Sequence, residues 1–80
     1  MEHSEFLDRV SEDIGIFAVS YDDFEKHIRP AFVGSVLNKD AFSKLFSVVY
    51  AEIRSIFEHG YIPKESIVPM TVQGMDKYLR

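Results

Sequence analysis

Apolar residues recur at the 3.6-residue spacing of an α-helix most clearly between Lys39 and Glu58. The apolar side of this segment comprises Phe42, Leu45, Phe46, Val49, Ile53, Ile56 and Phe57, and the polar side comprises Asp40, Ser43, Lys44, Ser47, Arg54 and Glu58. The apolar stripe is wide, which is typical of a central helix that packs against more than one neighbour. Asn38 or Asp40 can cap the start of this helix, and Gly60 is placed to end it in the left-handed conformation.

A second amphipathic helix is predicted from Glu5 to Ile14, with Ser4 as its N-cap and Gly15 at its end. Its inner stripe comprises Phe6, Leu7, Val10 and Ile14, and its opposite side carries Glu5, Asp8 and Glu12. The short apolar run from Ile16 to Val19 is compatible with a strand or with a buried connector, because periodicity does not distinguish the two.

A third helix is predicted from Tyr21 to about Arg29, with Phe24 and Ile28 turned inward. Ser20, followed three residues later by an acidic residue, approximates a capping box at its start. Pro30 should end or kink this helix, because proline lacks the N–H that an α-helix needs. One further helical turn is predicted within residues 31–37.

Prolines also mark the C-terminal third of the chain. Pro63 and Pro69 are each placed to start a short helix, and the last helix carries Val72, Met75 and Leu79 at helical spacing. The segment 67–79 either docks on its own core or packs against a partner. Residues 1–80 are therefore predicted to form one all-α domain, a small bundle of four to five helices with short connections.

Composition supports a packed core rather than disorder. The chain is 46% hydrophobic, with seven Phe and four Tyr, and aromatic side chains bury large areas. Part of this aromatic content could instead form an exposed patch used for association. The chain has no cysteine, so disulfides and thiolate metal sites are excluded.

The sequence predicts a cytoplasmic protein. No stretch approaches the ~20 apolar residues of a membrane span, and the acidic N-terminus lacks the basic start of a secretory signal. The net charge of −4 argues against membrane surfaces and nucleic acid as partners, because both are bound through Lys and Arg.

Charge is distributed unevenly along the chain. Residues 1–25 carry eight carboxylates and one base, Arg9, for a net charge of −7, whereas residues 26–80 carry a net +3. Helix-start chemistry accounts for Glu5, Asp22 and Asp23, since negative charge stabilises a helix N-terminus. It does not account for Asp8 and Glu12. The repulsion between like charges on this helix is partly offset by Arg9, which lies four residues from both Glu5 and Asp13. These acids form either a solvated helix face or a face for a basic partner.

No constellation for catalysis or cofactor binding is present, so neither an enzyme nor a cofactor is expected. The histidines, His3, His27 and His59, lack the spacing of a zinc helix. The stripe of Glu5, Asp8 and Glu12 could hold a hard cation, but a solvated face is the simpler interpretation, and no metal is predicted. No serine lies in a G-x-S-x-G turn, and the scattered glycines form no phosphate loop.

The favoured hypothesis is a small protein-binding module of inhibitor, immunity or antitoxin type with a basic partner protein. The predicted contact residues are Glu5, Asp8, Glu12, Tyr21, Asp22 and Asp23. One alternative is a homodimer or assembly subunit held by aromatic helix packing. A further alternative is a helix-turn-helix regulator, for which the basic residues Lys26, Arg29, Lys39 and Lys44 are sparse.

Overall fold

The computed structural model describes residues 1–14 and 19–80, with the backbone alone for residues 13 and 14. Within this part of the chain there are four helices and no strand, which confirms the predicted all-α bundle. Helix α1 spans His3–Ile14, α3 spans Lys39–Glu58 and α4 spans Ile67–Leu79. Helix α2 is continuous through three segments, namely Tyr21–Asp23, Phe24–Ile28 and Arg29–Val33.

Helix α3 has the predicted bounds and the predicted ends. The Asn38 side chain accepts a hydrogen bond from the Ala41 backbone N–H at 2.8 Å, which satisfies one of the unpaired donors at the helix start. Gly60 follows the helix with a φ of +82°, a conformation that only glycine adopts without strain.

Helix α3 is also the centre of the bundle, as its wide apolar stripe predicts, because α1 and α4 both pack against it. On one side the Phe6 ring of α1 lies edge-on to Phe46, with 4.9 Å between ring centroids. On another side α4 approaches so closely that a Cβ at Gly74 would lie 2.9 Å from Val49 Cγ1. Glycine at this position therefore permits the close contact between α3 and α4.

The polar side of α3 is not wholly exposed, which corrects the sequence-based assignment of two serines. Ser43 and Ser47 are each about 1% exposed, and Ser43 borders a pocket together with Arg9 and Glu12 of α1. Small side chains let two helices approach closely. The neighbour α1 therefore covers more of α3 than its apolar stripe alone predicts.

Helix α1 begins two residues earlier than predicted. The Phe6 backbone N–H donates to the Glu2 carbonyl at 2.9 Å, so Ser4 lies inside the first turn and the prediction of Ser4 as N-cap is wrong. Phe6 and Val10 are fully buried and Leu7 is half-buried, as predicted. The proposed stop at Gly15 and most of the apolar run 16–19 lie outside the described residues, although Val19 itself is buried.

Helix α2 starts as predicted but does not end at Pro30. Ser20 Oγ accepts a hydrogen bond from the Asp23 backbone N–H at 3.0 Å. The middle segment then widens into a π-helix, in which the Arg29 N–H donates to the Phe24 carbonyl five residues back. This wider turn accommodates the proline, and the helix continues to Val33.

The C-terminal segment docks on the molecule's own core. A 3₁₀ turn, Lys64–Ser66, follows Pro63, so this proline precedes the turn instead of starting it. Helix α4 begins at Ile67, with Pro69 inside its first turn, and it buries Val68, Met75 and Leu79. None of the helices in the described residues is long and apolar enough to cross a membrane.

Candidate protein-binding face

Helix α1 presents its acidic residues away from the core. Phe6 and Val10 are fully buried, and packing them against the bundle fixes the rotation of the helix. Asp8 and Glu12, one turn apart, are exposed, and Glu5 is partly exposed. The amphipathic pattern therefore places the predicted acidic stripe at the surface of the molecule.

Glu5 is engaged by another element. Its carboxylate forms an ion pair with Lys39, the first residue of α3. The hydrogen bond and positive charge of Lys39 lower the pKa of Glu5 below its ordinary value. This contact joins α1 to α3, so Glu5 has a structural role in addition to its predicted role in binding.

Asp8 and Glu12 have no ion pair among the described residues. The nearest base on their own helix, Arg9, contacts Asp40 of α3, with 3.4 Å between Nη1 and Oδ1, rather than Glu5. The two exposed carboxylates therefore remain available to a group from outside the chain.

The aromatic member of the predicted site lies at the start of α2. Tyr21 is 65% exposed, and its ring meets the His3 ring edge-on at 5.8 Å between centroids. His3 Nε2 in turn lies 3.0 Å from the Val19 carbonyl oxygen. These contacts hold the first turn of α2 beside the first turn of α1.

The two aspartates that follow Tyr21 differ in their surroundings. Asp22 pairs with Lys26 one turn later, with 3.0 Å between Oδ2 and Nζ. Asp23 is half-buried and borders a pocket of about 440 Å³ that is also lined by Tyr50 and Lys64. Burial raises the pKa of the Tyr50 phenol.

The six predicted contact residues fall into two groups. Glu5, Asp8 and Glu12 lie on α1, whereas Tyr21, Asp22 and Asp23 form the first turn of α2. No ion pair or hydrogen bond between described residues joins the two groups, and Glu12 and Asp23 border different pockets. Their common participation in one binding surface stays a prediction.

Sequence reasoning missed a polar pocket between α1 and α3, with a volume of about 180 Å³. It is lined by Arg9, Glu12, Asp40, Ser43 and Lys44. Ser43 is its most buried member, and its Oγ has no hydrogen-bond partner among the described residues. The sequence feature that could have indicated this pocket is the pair of small residues Ser43 and Ser47, which lie one helical turn apart beside the apolar stripe.

The described residues contain no group of three or more His, Asp or Glu side chains arranged to hold a metal ion. Comparison of the chain with protein-family models, curated proteins and solved structures found no match.

Proposed function

We propose that this protein is a small binding module of the inhibitor, immunity or antitoxin kind that captures a basic partner protein in the cytoplasm. The face that meets the partner is centred on Asp8 and Glu12 of α1. The observation that carries the proposal is that both carboxylates are exposed and unpaired among the described residues, within a segment of net charge −7.

Electrostatic complementarity gives this face its expected role. Fixed surface charges of one sign steer an oppositely charged partner and raise the rate of association. Glu5 and Asp22 are already paired with Lys39 and Lys26, so they contribute less net charge to this steering. Asp8 and Glu12 are therefore the positions at which charge reversal should matter most.

The test compares baits that differ only in these charges. Immobilised wild-type protein and the double variant Asp8→Lys/Glu12→Lys are each exposed to an extract of the native host, and bound proteins are identified by mass spectrometry. The expected result is a basic protein that the wild type retains and the double variant loses. With that protein purified, the double substitution should slow association by about tenfold or more, and raised salt should slow association with the wild type.

The matched control is Glu52→Lys, because Glu52 is exposed on α3 and has no ion pair among the described residues. It raises the net charge by two units, as Asp8→Lys alone does, but away from the proposed face, so Asp8→Lys is included as the single variant of equal charge change. Equal retention of the same partner by all four baits, or an association rate insensitive to salt, would contradict the proposal.

A homodimer or assembly subunit is the second candidate. It is favoured by apolar side chains that remain largely exposed, among them Val33 at 77%, Val36 at 76% and Tyr61 at 79%. Sedimentation velocity at micromolar concentration distinguishes the two candidates. A monomer at every concentration excludes the homodimer, whereas a dimer that buries the α1 face contradicts the binding module.

A further inference from the structure

The one base of the acidic segment is held away from the acidic face. Arg9 is the only Lys or Arg within residues 1–25, and it lies on α1 between Asp8 and Glu12. A free arginine at this position would neutralise part of the charge of Glu12, because residues three apart on a helix are neighbours. The Arg9 guanidinium instead faces α3, with 3.4 Å between its Nη1 and Asp40 Oδ1.

The start of α3 separates two charges that the sequence of α1 would bring together. Glu5 precedes Arg9 by four residues, and an acid four residues before a base favours an ion pair within one helix. In the fold, Glu5 pairs with Lys39 and Arg9 pairs with Asp40, the first two residues of α3. The position of the Arg9 side chain therefore depends on Asp40.

The surroundings of Arg9 indicate which group it would contact in the absence of Asp40. Both residues border the pocket between α1 and α3, and Glu12 is the other carboxylate of that pocket. Glu12 is exposed and has no ion pair among the described residues, and the same holds for Lys44, the second base of the pocket. Without Asp40, Glu12 would face two cations and no competing carboxylate.

We propose that Asp40 is a positioning residue of the binding face, which holds the Arg9 guanidinium on α3 and thereby leaves Glu12 free for a basic partner. This inference depends on the proposed function, and it adds a residue that controls the charge of the face. The Arg9 and Asp40 side chains are 41% and 59% exposed, and exposed ion pairs are weak. The expected effects are therefore a few-fold rather than complete.

The first experiment follows the Arg9 side chain by NMR and needs no partner. The Nε–Hε signal of Arg9 is recorded in the ¹⁵N-labelled wild type, in Asp40→Asn, in Glu12→Gln and in the double variant. Glu12→Gln should shift this signal much more in the Asp40→Asn background, where Arg9 faces Glu12, than in the wild type. Asp40→Glu keeps a carboxylate at position 40 and should behave as the wild type does.

A second measurement reports the charge of the face. Cationic and neutral nitroxides of similar size are added in turn at low salt, and the paramagnetic relaxation of the Glu12 amide proton is compared. The ratio of the two rates rises with the local negative potential. Arg9→Gln should raise this ratio little in the wild type and about twofold in the Asp40→Asn background, because only there does Arg9 lie beside Glu12. Independent charges would give the same rise in both backgrounds.

The consequence for binding is measured with the partner that the wild-type protein captures. Asp40→Asn should slow association by about two- to threefold, because the freed Arg9 reduces the negative charge that steers the partner. Glu52→Gln is the matched control. It removes the same charge from an exposed position twelve residues away, about 18 Å along α3, and should slow association less.

Two results would overturn the assignment. One is an Arg9 signal that responds equally to Glu12→Gln with and without Asp40, and the other is equal slowing of association by Asp40→Asn and Glu52→Gln. Failure here is distinguishable from failure of the proposed function. A partner that is lost with Asp8→Lys/Glu12→Lys but associates equally fast with the wild type and Asp40→Asn leaves the binding face intact and removes the role of Asp40.

Discussion

Two serines one turn apart on α3 show how differently the same side chain is used. Ser43 and Ser47 are both about 1% exposed. Ser47 Oγ donates to the Lys44 carbonyl at 2.8 Å, whereas Ser43 Oγ has no partner among the described residues. The hydroxyl at position 43 therefore costs stability, and the one at position 47 has its hydrogen bond within the helix.

Ser43→Ala should accordingly leave the free energy of unfolding unchanged or raise it by up to about 2 kcal/mol, because it removes an unsatisfied buried group. Ser47→Ala is the matched control and should be less favourable, since it removes a satisfied hydroxyl. Urea unfolding of both variants measures the difference. A larger loss of stability at position 43 than at position 47 would contradict this account.

Glu5 gives the molecule a pH-dependent contact. Its pKa in the folded protein is lowered by Lys39 from the ordinary value of 4.5. A lowered folded-state pKa means that the contact stabilises the protein at neutral pH and that this stabilisation is lost as pH falls through the folded-state pKa.

Glu5→Gln should therefore reduce the loss of stability on acidification from about pH 6 to about pH 3, because it removes a carboxylate that protonates more readily when the chain is unfolded. Glu2→Gln serves as the control, since Glu2 is exposed and has no ion pair among the described residues. The measurement is the urea midpoint across this pH range. Identical pH profiles for Glu5→Gln and the wild type would refute the argument.

Among the elements, α2 departs most from its prediction. An isolated proline predicts a helix end, but here the preceding π-helical segment, Phe24–Ile28, absorbs Pro30. Burial of both Phe24 and Ile28 holds the wider turn in place, because each is fully enclosed by the core. Tertiary packing thus overrides the local signal of proline.

Pro30→Ala should raise the free energy of unfolding by about 1–2 kcal/mol, because alanine restores a backbone donor and Pro30 itself is exposed. Pro63→Ala is the control. Pro63 lies outside the helices with a φ of −76°, which proline favours, so its replacement should lower stability by about 0.4–1 kcal/mol. Urea unfolding gives both values, and the same sign for both variants would contradict the role assigned to Pro30.

The elements that the sequence predicts well are those with local signals at both ends. Helix α3 has a periodic apolar stripe, a capping Asn38 and a left-handed Gly60, and its bounds are as predicted.

The candidate site was predictable only as a set of charges. The partner of Glu5 is 34 residues away at Lys39, and the burial of Ser43 depends on α1, so neither follows from local spacing.

For the molecule as a whole, stability depends on an aromatic core shared by three helices. The Phe6 ring of α1 lies within 5.6 Å of the Phe24 ring of α2 and within 4.9 Å of the Phe46 ring of α3, measured between centroids. The radius of gyration, 11.5 Å, is close to the value of about 12 Å expected for a folded chain of this length. Because the core is small, the loss of one aromatic ring should remove a large share of the free energy of unfolding.

Phe6→Ala should lower the free energy of unfolding by about 3–5 kcal/mol, a large share of the about 4–12 kcal/mol available to a domain of this size. Thermal unfolding followed by circular dichroism measures the loss. Tyr61→Ala is the aromatic control, because Tyr61 is 79% exposed and its removal should change stability by no more than about 0.5 kcal/mol. Similar losses for both variants would show that the ring cluster does not dominate stability.

The π-helical segment of α2 has a consequence for the length of the chain. A turn closed five residues back contains one residue more than an α-helical turn, so Phe24–Ile28 amounts to a single-residue insertion within a helix. A variant that lacks one residue here and has alanine in place of Pro30 should keep both flanking segments in register as an uninterrupted α-helix. Deletion of one residue within Phe24–Ile28 should therefore disturb the bundle less than the same deletion in an uninterrupted α-helix.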